Sequence, residues 1–197
     1  PNYKGWEFFF PIGGNKDYEY ILTKLPSSGD DPKYIRTAVF KFLIRTTILN
    51  IGNGDTNGID GYTSYSMLIH TAGKTNDHII DQKEISKILE ILGNRDHRKF
   101  NNYIKELLDL AERILKQHNK QFSNTDIVRF IIQNIGRKEV LIINSKNDHN
   151  NVNRACDPKI LFTFAIGGNI VSRGLTFKNL LSFFFSRNVK GKLQQNT

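Results

Sequence analysis

Ile160-Leu161-Phe162-Thr163-Phe164-Ala165-Ile166-Gly167-Gly168-Asn169-Ile170-Val171-Ser172-Arg173-Gly174-Leu175-Thr176 is the stretch on which the fold turns. Its first seven residues are almost wholly apolar and lack the alternation of a half-exposed strand. That pattern predicts a strand buried on both faces, as in a parallel sheet covered by helices. The strand runs into Gly167, Gly168 and Asn169, and then into Ser172, Arg173 and Gly174. Glycine tolerates positive φ and lets the backbone approach another group closely. A strand-to-loop turn of this kind belongs at the carboxyl edge of an α/β sheet, where ligands bind. An arginine fixed there reaches a phosphate, of a nucleotide or of DNA. The same text also suits a tight structural turn with Arg173 in a salt bridge.

Two further apolar runs, Glu139–Asn144 and Leu180–Phe185, read as strands of the same kind. Ser66-Met67-Leu68-Ile69-His70-Thr71 reads as a short buried strand upstream of them. Between them the text is helical. Ile35, Ala38, Val39, Phe42, Leu43 and Leu49 recur near 3.6-residue spacing and predict a helix over 33–50. Lys33, Arg36, Lys41 and Arg45 give that helix a basic face, suited to solvent or to phosphate. Asp81 with Glu84 has capping-box spacing and predicts a helix over 81–92. Further helices are predicted over about 99–119 and from Ser123, as cap, to Ile135, with Gly136 as the stop. Residues 1–31, 51–63 and 145–157 read as loops; the first carries an aromatic cluster of Trp6, Phe8, Phe9 and Phe10.

Composition sets the outer bounds. The chain has 197 residues, with 28 Lys plus Arg against 19 Asp plus Glu and a net charge of +9. This is enough chain to bury a core without disulfides or metals. The charge favours an anionic partner, nucleic acid first. The single cysteine, Cys156, excludes a disulfide framework and a multi-cysteine zinc site. No apolar run reaches about 18 residues, and the start lacks the basic and apolar regions of a signal peptide. No membrane partner and a reducing cytoplasmic setting are therefore expected. A chain that starts with Pro1 rather than Met reads as a fragment of a longer protein.

Several catalytic motifs fail on spacing. Ala72-Gly73-Lys74-Thr75 follows a strand, yet a P-loop needs a glycine where Leu68 stands. Asp81-Gln82-Lys83, with Asp60, sketches a magnesium-dependent nuclease, but Asp81 serves better as a helix cap. His97-Arg98-Lys99 begins a phospholipase-D-type nuclease motif, whose acidic residue would fall on Ile104. No metal site is expected among the scattered histidines.

The words Gly167-Gly168-Asn169-Ile170-Val171-Ser172-Arg173-Gly174-Leu175-Thr176 resemble the signature of the Z-one domain. That family is described as an endonuclease domain of helicase-like ATPases in bacterial restriction–modification and related defence systems. Val171 stands where the family usually has Leu, and the tail Phe177-Lys178-Asn179-Leu180 also departs from its pattern. Three other stretches agree in order: Tyr3-Lys4-Gly5 with Phe8-Phe9, Ser66-Met67-Leu68-Ile69-His70, and Phe184-Phe185 with Arg187-Asn188.

The resemblance implies an α/β fold with a parallel RecA-like sheet, of the second-helicase-lobe type, and a helical insertion subdomain. Residues 1–64 would form an aromatic segment and helix, 65–72 the first strand, 73–135 the helical insertion, and 136–197 the rest of the lobe, stopping before helicase motif six. Ser172, Arg173, Gly174, Thr176 and Arg187 would contact DNA or phosphate. Gly167, Gly168 and Asn169 would shape the loop, and His70 is a further candidate, equally suited to the core. ATP with Mg would act in the parent protein and not bind this chain alone. DNA, the remaining ATPase lobe, and nuclease or methyltransferase subunits would be its partners. A DNA-binding interaction module without ATP coupling and a metal-dependent endonuclease remain as alternatives.

Overall fold

The structure, a computed structural model, describes residues 33–52, 61–71, 75–118, 122–143, 149–168 and 175–185. Its centre is a four-stranded sheet of β1 (Tyr65–His70), β2 (Lys138–Ile143), β3 (Phe162–Gly167) and β4 (Leu180–Phe185). All neighbours pair in parallel, in the order β2-β3-β1-β4. The sheet expected from the apolar runs is thus parallel, and β1 and β3 occupy its centre.

Five helices among the described residues accompany it: α1 (Lys33–Gly52), α2 (Thr75–Gly93), α3 (Phe100–His118), α4 (Asn124–Asn134) and α5 (His149–Cys156). The first four share one core with one face of the sheet. Phe42 of α1 meets Phe164 edge to face at 5.2 Å and Phe162 at 6.5 Å. Ile85, Leu89, Leu107 and Ile131 close the same core around Met67, Ile69 and Ile166. α1 is buried nearly all round, as a helix at the centre of a helical layer should be. Over residues 34–52 only Lys41, Arg45 and Gly52 are exposed. Of its basic residues, Arg36 turns inward and bonds Glu106 of α3 at 2.8 Å.

The opposite face is covered differently. Leu68, Leu141, Ile143 and Ala165 pack there against Ala155 and Val152 of the short helix α5, and against Phe177. This cover favours β2 and β3. On β4, Leu180 and Phe183 stay exposed, so this strand is not buried on both faces as its sequence predicts.

Three local readings change with the structure. α2 begins at Thr75, six residues ahead of the expected start, and Asp81 lies inside it. Ile79 and Ile80 of its first turns are exposed while His78 is buried, which inverts the pattern that would have marked the helix. The polar stretch read as a loop contains α5, whose Arg154 pairs with Glu139 of β2. α4 starts on the predicted cap: the Ser123 hydroxyl accepts the Asp126 amide at 3.0 Å. It ends through Ile135 in right-handed helical geometry, φ −64°, with no left-handed glycine.

Candidate functional site at the carboxyl edge of β1 and β3

β1 and β3 lie side by side, with His70 opposite Gly167. The ladder extends one step further, where the Thr71 amide donates to the Gly167 carbonyl at 3.0 Å. Beyond that bond the two chains part. β1 feeds α2, on the face of the large core; the segment leading from β3 to β4 places Phe177 on the opposite face. The strand order therefore reverses between β1 and β3. Such a switch point leaves a crevice outside the carboxyl ends, the general ligand position of open α/β sheets.

Register defines the row of side chains at this edge. Ile143, Gly167 and His70 are in register across β2, β3 and β1. Successive residues of a strand point to opposite faces, and Leu68 and Leu141 belong to the face of α5. His70 and Ile143 thus share that face. Gly167 adds no side chain between them, so backbone is presented where a neighbouring strand would show a side chain. Gly167 and Gly168 are both buried. The His70 ring stacks on Phe183 of β4, with centroids 6.3 Å apart and planes 23° from parallel. His70 is accordingly half-buried at the strand end, with an aromatic face on one side and a glycine on the other.

The remaining candidates divide. Thr176 is exposed and lies on the approach to β4. Asn169, Ser172, Arg173, Gly174 and Arg187 lie outside the described residues, as do Lys74 and Asp60. Among the described residues no group of three His, Cys, Asp or Glu side chains could hold a metal ion.

Sequence reading missed two residues that shape the site. Thr71 is 1% exposed and makes the last inter-strand bond. Asn179 has φ 53°, accepts the Ser66 amide at 3.0 Å and donates through its side chain to the Ser64 carbonyl at 3.2 Å. It fixes where β4 begins against β1. The signal was present: asparagine enters the left-handed region more readily than other non-glycine residues, and Asn179 directly precedes an apolar run.

Charge beside the end of α5, at the opposite, amino edge of the sheet, is locally paired. Asp157, just after α5, accepts from Lys159 Nζ at 3.0 Å and Lys178 Nζ at 3.3 Å. These two bonds hold its carboxyl below the usual aspartate range. Burial pushes the neighbouring Cys156 thiol up, which keeps it protonated and a poor nucleophile.

What these observations define is an α/β domain with a wholly parallel sheet and a glycine-lined strand end at its reversal of strand order. The chain belongs to the Z1 domain family, whose model matches residues 34–192. No curated protein and no solved structure matches it. Among the described residues no helix is long and apolar enough to cross a membrane.

Proposed function

We propose that this chain is the Z1 part of a helicase-like, ATP-dependent protein that acts on DNA in a restriction or defence system. In this reading the sheet is a RecA-like second lobe, and α2, α3 and α4 are its helical insertion. The observation that carries the proposal is the coincidence of family and place. Gly167 and Gly168, at the switch point, lead directly in sequence into Ser172-Arg173-Gly174-Leu175-Thr176. That loop would serve as a motif-five-like element, which couples DNA backbone to a nucleotide site.

The chain's own chemistry suits an anion. Gly167 offers backbone without a side chain, and Arg173 brings a fixed positive charge for a phosphate oxygen. Ser172 and Thr176 add hydroxyl donors. ATP with Mg, where bound in the parent, supplies the phosphoryl group whose transfer drives the cycle. Metal ligation would fall to the remaining ATPase lobe. Nuclease or methyltransferase subunits would supply the chemistry on DNA, in the cytoplasm.

The test is Arg173→Ala in the full-length parent. Loss of one charge-assisted contact is expected to cut DNA-stimulated ATP turnover by roughly ten- to a hundredfold, with the fold intact by circular dichroism. Unchanged turnover overturns the coupling role. DNA binding that ignores added nucleotide would instead favour an interaction module without ATP coupling.

A further inference from the structure

The turn between α2 and α3, Asn94-Arg95-Asp96-His97-Arg98-Lys99, carries three exposed cations within five residues. None of Arg95, Arg98 and Lys99 forms an ion pair among the described residues. Arg36, Lys116, Arg129, Arg154, Lys159 and Lys178 have carboxylate partners, whereas Lys41, Arg45 and Lys83 show no ion pair among the described residues; what sets this turn apart there is three such cations within five residues. Asp96 is the only acid in the turn, so its net charge is positive.

The backbone beneath these cations is held. The Asn94 side-chain oxygen accepts the Asp96 amide at 3.1 Å, and His97 Nδ1 accepts the Lys99 amide at 3.1 Å. The His97 amide returns to the Asn94 carbonyl at 3.1 Å, and the Phe100 amide to the His97 carbonyl at 2.8 Å. The amides of Asp96, His97, Lys99 and Phe100 are thus each held by a side chain or a neighbouring carbonyl, so the turn that carries the three cations has a defined backbone.

Its chemistry selects the partner. The exposed large apolar side chains of the described surface are Ile79, Ile80, Ile160, Leu180 and Phe183; none lies in this turn. A protein partner would need a buried aromatic or aliphatic anchor at the centre of the contact. A phosphate backbone needs only cations and polar donors. We infer that the α2–α3 turn is a second contact for duplex DNA, in which Arg95, Arg98 and Lys99 neutralise backbone phosphates without reading sequence. The inference rests on the proposal that the protein acts on DNA, and it places a contact far from Gly167 at the carboxyl end of β3. α2 leaves β1 at the carboxyl edge, and its last residue, Gly93, backs onto Ile135 just before β2 begins. The turn therefore sits at the amino edge, about 28 Å along the helix from the switch point by the rise of 1.5 Å per residue.

The experiment is a salt titration of the 197-residue chain against a fluorescent duplex of mixed sequence. Arg95→Ala, Arg98→Ala and Lys99→Ala are combined in one variant. A control variant carries Lys41→Ala, Arg45→Ala and Lys83→Ala, three equally exposed cations elsewhere. Each phosphate released flattens the plot of log affinity against log salt by about 0.9. The turn variant is expected to lose about 2 to 3 from that slope, equally on unrelated sequences, with an unchanged melting temperature. A slope change no larger than that of the control overturns the inference and leaves the turn to an acidic protein. Absence of any duplex binding by the unaltered chain overturns it as well. A flattened slope beside unchanged turnover in the Arg173→Ala parent would uphold this contact while removing the coupling role.

Discussion

The Thr71 amide donates to the Gly167 carbonyl at 3.0 Å, so the last bond joining the two central strands lies where their chains diverge to opposite faces. A residue after a strand would ordinarily be free to fray. Here Thr71 is 1% exposed, and this carboxyl edge is built on a fixed backbone. The energetic support of that edge comes from the core beneath it and from the contacts that seat the helices.

Phe164 is the first test of that support. It is fully buried and meets the Phe42 ring at 5.2 Å. Phe164→Ala should cost about 3–5 kcal/mol, the usual loss for an aromatic truncated inside a packed core. Urea denaturation measures it. A loss below about 1 kcal/mol would mean that α1 is not seated on the sheet.

Arg36 and Glu106 tie α1 to α3. Two bonds, at 2.8 and 3.3 Å, join them. The guanidinium also lies 5.3 Å from the centre of the Tyr103 ring. Arg36 is 14% exposed and Glu106 44%, so solvent screens one partner far more than the other. Glu106→Gln should cost about 1–2 kcal/mol, between the values for exposed and for buried pairs. An Arg36→Met, Glu106→Gln cycle that shows no coupling would remove the pair as a fastening.

Ser123 caps α4. Its hydroxyl accepts the Asp126 amide at 3.0 Å and donates to the Asp126 carboxylate at 2.6 Å. Ser123→Ala should lose about 1 kcal/mol, and Ser123→Thr should retain most of the stability. Equal stability of all three proteins in thermal melts would contradict the cap.

Asp157 gives a sign for pH. Its folded carboxyl is held below the usual range by Lys159 and Lys178. The contribution is present above the unfolded aspartate value of about 3.9. It is lost as pH falls through the lower folded value. The stability gap between the native chain and Asp157→Asn should thus persist at neutral pH and close in acid. A gap that widens on acidification reverses the assignment.

Some of this was legible in residues alone. Ser123 announced α4, because a hydroxyl before an amphipathic run satisfies an orphan amide and needs only local geometry. The apolar run through Phe162–Ile166 announced a central strand, because burial on both faces leaves no place for alternation. α5 was not legible. Its Asn-rich text has poor helix propensity, and packing of Val152 and Ala155 on the sheet stabilises it instead. The early start of α2 was hidden for a similar reason, since exposed Ile79 and Ile80 and buried His78 invert the expected polarity.

Sequence by itself determined the parallel α/β class, the glycine-lined end of β3, the boundaries of most helices and the excess of positive charge. These follow from local periodicity, backbone freedom and simple counting. Only the tertiary structure decided that β1 and β3 are neighbours, that the order reverses between them, that His70 stacks on Phe183, and that among the described residues Arg36 is paired while Arg95, Arg98 and Lys99 are not. Strand order, register and ion pairing join residues far apart in the chain. They are fixed by which faces the whole chain can bury together, a choice that no local pattern encodes.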